Sequence, residues 1–199
     1  MSTSHANRPS VPVTHVTLTD GRSITLREAT AADAPAAIDY LEEIGGESDF
    51  LTFGAGEFGK SLAYEEQFFE SQRTSETGLV MVAMDEKSGR LLGMLTFMTG
   101  ARWRVRHSGD FGVSVRKEAW GEGIGRKLVE ALIEWAAHHP IVRKINLLVR
   151  VDNARAIALY ERLGFEREGL LVKVARMPDG SYHDDYAMGL WVDHIDADA

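Results

Sequence analysis

The chain of 199 residues contains no cysteine. Disulfides, thiolate metal sites and a cysteine nucleophile are excluded with it. It also lacks an uninterrupted apolar run approaching the roughly 20 residues that a membrane-spanning helix needs. The first ten residues hold no apolar stretch of a secretory signal. A cytoplasmic protein that does not enter membranes is the expectation. Basic residues are the minority among the charges, with 22 Lys and Arg against 30 Asp and Glu, a formal charge of −8. That balance disfavours nonspecific binding to nucleic acid; it either attracts a cationic partner or merely solvates the surface.

The length suits one domain with a core large enough to need no staples. Residues 1–11 are polar and are expected to be a disordered tail, residues 12–193 one domain, and residues 194–199 an acidic tail. Strand-like runs at 13–18 and 23–28 flank Asp20-Gly21, a short hairpin signal. Thr30 to Asp33 resembles a capping box and opens a helix through about Ile44, with Ala34, Ile38 and Leu41 on one face. Residues 45–59 are glycine-rich and studded with Phe50, Phe53 and Phe58, either a mobile lid or a loop with apolar anchors. A second helix covers about 61–72. Apolar runs at 79–84 and 91–98 form a hairpin, and residues 111–115 a further strand. Ile124, Leu128, Leu132 and Trp135 have helical spacing, and Pro140 stops that helix. Residues 144–149 form a buried strand and 153–163 a short helix ended by Gly164. Two last strands, 169–177 and 182–191, flank Pro178-Asp179-Gly180. The order implies an α/β domain with one mixed sheet and helices on its faces.

Gly121, Gly123 and Gly125 stand between a strand and an amphipathic helix. Such a turn is either purely structural or an anion cradle, where backbone N–H groups and the helix N-terminus meet a phosphate. Arg126 and Lys127 oppose the helix dipole, and a bound anion would offset them. Arg126 occupies the position where both a Walker loop and a dinucleotide fingerprint require glycine, so neither pattern is met. Downstream, Asn153, Ile157 and Tyr160 fall near one helix face. Singly, Asn153 reads as a cap and Tyr160 as core.

Together the segments from Trp120 to Gly125 and from Asn153 through Ala156, Leu159, Tyr160 and Gly164 to Phe165 resemble the GCN5-related N-acetyltransferase (GNAT) superfamily. The resemblance runs over about residues 24–191. It implies a central, mostly antiparallel sheet with two splayed strands and helices on both faces. It also implies transfer of the acetyl group of acetyl-CoA to a primary amine, with no metal. The donor is expected on Val113, Ser114 and Val115, on the loop of Gly121, Glu122, Gly123, Ile124, Gly125 and Arg126, and on Asn153, Ala156 and Tyr160. Tyr160 is expected to protonate the leaving thiolate, and Asp110 to act as base or to orient water. Glu28, His107 and His183 are weaker candidates for the base. Trp120 departs from the family's Gln or Arg at that position, removing a polar contact. The acceptor is expected to be a small-molecule amine or amino acid lying between residues 45–59 and 171–188; a protein or peptide acceptor, or a noncatalytic acyl-CoA-binding module on the same fold, is the alternative. There Glu47, Asp49, Glu57, Asp184 and Asp185 either attract a cation or face solvent. A homodimer through a sheet edge or the closing hairpin is compatible with this layout.

Overall fold

The computed structural model describes residues 8–177 and 179–193, so the expectations for residues 1–7, Pro178 and 194–199 lie outside it. The chain opens with the expected hairpin: β1 (Thr14–Thr17) and β2 (Ser23–Glu28) pair antiparallel around Gly21, whose φ is 85°. Asp33 then accepts from Thr30 N–H at 2.8 Å and grips Arg27 at 2.6 Å. These bonds close a short 3-10 turn, Ala31–Asp33, before α1 (Ala34–Ile44) begins. The buried face of α1 is Ala34, Ala37, Tyr40, Leu41 and Ile44. Ile38 lies at the flank of that stripe and is only half-buried.

Helix α2 (Leu62–Thr74) starts where the Ser61 hydroxyl accepts from Tyr64 N–H, a cap that satisfies one free helix-terminal donor. The hairpin of β3 (Leu79–Asp85) and β4 (Leu91–Thr99) follows, then β5 (Ser108–Val115), α3 (Ile124–Ala137) and β6 (Lys144–Arg150). The chain closes with α4 (Ala154–Arg162), β7 (Glu166–Arg176) and β8 (Tyr182–Trp191). Strand β5 begins at Ser108 rather than Phe111, because Ser108 pairs with Lys144 of β6, and Gly109 and Asp110 are held between β4 and β6. Their small and polar side chains gave no apolar signal.

The strands form one sheet in the order β1-β2-β3-β4-β5-β6-β8-β7. Every neighbouring pair is antiparallel except β5 and β6. One core holds Leu128, Leu132 and Trp135 of α3 and Ile157 and Tyr160 of α4 against Leu95, Phe111, Leu147 and Val149 of the sheet. The second holds α1 and Phe69 of α2 against Val80 and Val82. Side chains alternate faces along a strand, so the two helix pairs cover opposite faces. The end of the stretch expected to be disordered lies against this body. Arg8 pairs with Glu28 at 2.6 Å, and the Trp135 indole donates to the Pro9 carbonyl at 2.9 Å.

Candidate active site

Strands β5 and β6 are paired only at Ser108, Gly109 and Asp110, opposite Lys144, Ile145 and Asn146. Beyond that point both strands continue without pairing to each other, and the sheet is split. Asn146 closes the paired end: its amide donates to the Ser108 hydroxyl at 2.8 Å and to the Gly109 carbonyl at 3.1 Å. Backbone groups of alternate residues face alternate edges of a strand. Arg116 N–H donates to Leu92 of β4 at 2.8 Å, which turns the Ser114 groups toward β4 and the Val113 and Val115 groups toward the gap. Of these, the Val115 carbonyl already accepts from the Trp120 indole at 2.7 Å. Trp120 thus exchanges the polar contact of the family pattern for a latch onto the end of β5.

The glycine loop stands at the C-terminal end of β5. Gly121 and Gly123 have φ of 92° and 81°, and Gly123 is the N-cap of α3, conformations that glycine adopts without the strain of a Cβ. A Cβ built on either would meet nothing within 4 Å. No acceptor among the described residues meets the amides from Gly121 through Arg126; the first engaged N–H is that of Lys127, on Gly123 O at 3.0 Å. Free donors, open space and a helix terminus together make a place for an anion. The neighbouring charges are turned aside. Glu122 accepts from Thr19 N–H at 2.7 Å and from its hydroxyl at 2.6 Å, and Arg126 pairs along the helix with Glu130 at 2.7 Å. Nothing in the sequence pointed to the Thr19 contact, which joins residues about a hundred positions apart.

Across the gap, Asn153 caps α4 by accepting from Ala156 N–H at 3.1 Å, and the helix ends at Gly164 with φ 91°. This turn brings Phe165 back under Tyr160, and both rings pack on Phe111 with centroids 5.8 Å apart. The aromatic triangle lies beside the last paired residues of β5. Burial pushes the Tyr160 phenol up to about 12, so it is protonated at neutral pH. Its oxygen has no partner among the described residues. The polar side-chain atoms both sealed and unpartnered there are Arg8 Nε and Asp185 Oδ1, so the phenolic oxygen reaches open space.

The opposite face of the split carries the acidic candidates. Phe111 faces α4, so Asp110, Gly112 and Ser114 face α1 and α2, and Ser114 meets the Tyr40 hydroxyl at 2.8 Å. Asp110 is exposed. Glu28 stands on β2, three strand spacings or roughly 14 Å from β5, and is taken by Arg8. His107 precedes β5 and packs near Trp191, and His183 lies 4.0 Å from Asp152. Three of the loop and hairpin carboxylates already accept from backbone amides. Glu47 accepts from Lys117 N–H at 2.7 Å, Glu57 from Gly54 N–H at 2.7 Å, and Asp184 from Lys173 N–H at 2.8 Å. Asp185 is different. It sits opposite Arg150, but that guanidinium turns to Asp152 and to the Asp49 carbonyl, at 2.5 and 2.6 Å. One Asp185 oxygen is left sealed without a partner, and burial pushes its carboxyl up. Arg150 also lies 4.9 Å over the Phe50 ring, and Phe53 packs on Phe58 at 5.9 Å. The 45–59 loop is therefore anchored by its aromatic residues.

A mixed sheet split between two parallel strands, with free helix-terminal amides at one end of the split, defines the acyl-CoA-dependent acyltransferase class. The chain belongs to the Acetyltransferase (GNAT) family, whose pattern matches residues 47–165. It is accordingly an acetyl-CoA-dependent N-acetyltransferase. It is 31% identical over 168 residues, 79% of each chain, to aminoglycoside N(6')-acetyltransferase type 1 of Klebsiella pneumoniae. To L-amino acid N-acetyltransferase AaaT of Escherichia coli (strain K12) it is 38% identical over 100 residues, 50% of this chain and 61% of that one. The crystal structure of an acetyltransferase of the GNAT family from Streptococcus pneumoniae matches with a TM-score of 0.80 at 30% identity, covering 85% of this chain and 99% of the other.

Proposed function

We propose that this enzyme acetylates a primary amine of a small, cationic molecule, with the donor's diphosphate on the amides of Gly121 to Arg126. The free amides beside the split carry this reading. The similarity to acetyltransferases named for aminoglycosides and amino acids supports a small-molecule acceptor. Acetyl-CoA supplies an activated acetyl thioester. We also place the enzyme in the cytoplasm, the compartment that holds this donor.

The residues divide the work by face. Val113 N–H points into the gap, placed to donate to an oxygen on which negative charge develops. Tyr160 keeps its proton through the neutral range and gives it to the departing thiolate from the α4 side, regaining one from solvent. The acceptor enters from the α1 and α2 side. A free alkylamine has a pKa of about 10.4 and arrives charged. Asp110, on that face, accepts a proton from it directly or through water; the free amine then forms the C–N bond as the C–S bond breaks, and the second proton on nitrogen leaves to solvent. Asp185 holds a second positive group. Were the β5 and β6 ladder continued, Val113 would fall level with Val149 and Ser114 with Arg150, the residue opposite Asp185. Asp185, one oxygen of which is sealed, would thus fall level with Ser114, one residue beyond the Val113 amide.

A thiol-release screen of the purified enzyme with acetyl-CoA tests the reading against diamines, aminoglycosides, amino acids and peptides. A product heavier by one acetyl group confirms each hit. Turnover is expected with amines carrying two or more positive groups. Activity confined to peptides would contradict the small-molecule acceptor.

A further inference from the structure

The chain carries a formal charge of −8, yet no acidic residue falls between Thr99 and Gly109. Arg102, Trp103, Arg104, Arg106 and His107 stand together in that stretch. It joins β4 to β5 at the end of the sheet away from the glycine loop, roughly 25 Å off along β5. A Cβ on Gly109 would meet the Phe97 ring of the α3 core. His107, two residues earlier, shares that face, whereas Asp110 points to the other. The turn is fastened in place. The Arg102 carbonyl accepts from Val105 and Arg106 N–H at 2.9 and 3.0 Å, and the His107 carbonyl from Arg143 and Lys144 N–H at 2.8 and 3.0 Å. Between the turn and the α3–β6 connection lies an open groove of about 610 Å³. Trp103, Arg104, Arg106 and His107 line one side, and Pro140 and Ile141 the other.

Three charges at this groove lack an acidic counterpart. Arg102 and Arg104 make no ion pair among the described residues, and the Arg143 guanidinium donates to the carbonyls of His139, Pro140 and Val142. Arg106 and Lys144 are paired, with Glu76 at 3.3 Å and Glu168 at 2.8 Å. Trp103 is 79% exposed, and Trp191, whose ring lies 6.4 Å from that of His107, is 60% exposed. Guanidiniums grip phosphate, and an uncovered indole is a surface on which a base stacks. A flat bilayer does not enter a groove, and an acidic peptide satisfies the arginines but leaves the indoles bare. We propose that this groove binds a single-stranded nucleic acid, with bases on Trp103 and Trp191 and phosphates on Arg102, Arg104 and Arg143. The net negative charge does not prevent it, because charges farther than about 8 Å are screened at physiological ionic strength.

Fluorescence anisotropy of a labelled RNA oligonucleotide of about ten nucleotides, titrated with the full chain, tests this. Saturable binding is expected, with log affinity falling against log salt at a slope of about −2, as for three phosphates of a single strand. Trp103→Ala should weaken binding about tenfold, and Arg104→Glu should weaken it too. Both positions are exposed, so the circular dichroism spectrum and the KM for acetyl-CoA should stay those of wild type. The same oligonucleotide annealed to its complement, its bases stacked within the duplex, should bind more weakly. Mononucleotide at equal nucleotide concentration should not displace the single strand. Absence of binding overturns the proposal. So does binding indifferent to Trp103→Ala, which is attraction of any polyanion, or equal affinity for the duplex, or full displacement by the mononucleotide. Anionic vesicles bound through these residues in preference to the oligonucleotide would assign the patch to a membrane instead.

Discussion

Tyr160 is buried between Phe111 and Phe165, yet its phenolic oxygen has no partner among the described residues. Removing that oxygen by Tyr160→Phe leaves the aromatic packing whole. The proposed proton transfer then predicts a fall in kcat of about a hundredfold, the usual scale of a lost general acid, with the KM for acetyl-CoA nearly unchanged. Steady-state kinetics with varied donor separates the two; equal kcat would remove Tyr160 from the chemistry. Asp185→Asn should act on the other substrate, raising the KM of a dicationic acceptor by roughly tenfold, about the 1.4 kcal/mol of a charge-assisted contact. Donor binding measured by calorimetry should not change. At this scale, the sequence made Tyr160 and Asn153 legible, because both sit in a spaced motif. Asp185 was one of five acidic candidates. Only the backbone register and the turn of Arg150 toward Asp152 separate it from Glu47, Glu57 and Asp184, whose carboxylates already accept from backbone amides.

Elements position these residues through contacts between distant segments. The glycine loop is fastened on two sides, by the Trp120 indole to Val115 of β5 and by Glu122 to Thr19 in the β1–β2 turn. Weakening the second tie with Thr19→Val removes the hydroxyl and leaves the Thr19 N–H as the one remaining donor to Glu122, so the carboxylate swings more readily toward the anion site, where it repels phosphate. The acetyl-CoA KM should rise several-fold while kcat holds, and Glu122→Gln should recover most of the loss in the Thr19→Val background. An unchanged KM would show that the loop needs no such tie. Element order and the α3 face were readable from periodicity and glycine placement, whereas the split strands followed only from the family resemblance. Helix α1 and strand β5 were less so. The Asp33 bonds to Thr30 and Arg27 tighten the first turn of one, and the β6 contacts that extend the other involve a serine, a glycine and an aspartate. Polar and small residues in a paired strand leave no hydrophobic signature, so their pairing had to be seen.

For the whole molecule, pH links the α3–β6 connection to stability. His139 is fully buried, with Nε2 on the Glu76 carbonyl at 2.8 Å, and Nδ1 accepting from Ile141 and Val142 N–H at 3.1 Å. Burial holds it neutral, pulling its pKa down from 6.5 to about 4. Between those values the unfolded chain binds the proton and the folded one does not. The stabilisation is therefore complete above pH 6.5 and declines as the pH falls toward 4, by about 3 kcal/mol in all. Chemical denaturation across this range should show the slope, and His139→Gln should flatten it; a slope unaltered by the substitution would place the titration elsewhere. The fold's other consequence is the split itself, which sets helix-terminal amides at the mouth of a gap between strands. Calorimetric titration of wild-type protein with acetyl-CoA and with acetyl-pantetheine, which lacks the diphosphate, tests that arrangement most directly. Saturable binding of the first, weakened by added salt and far tighter than the second, is predicted. Equal affinity for the two, or none for either, would contradict it.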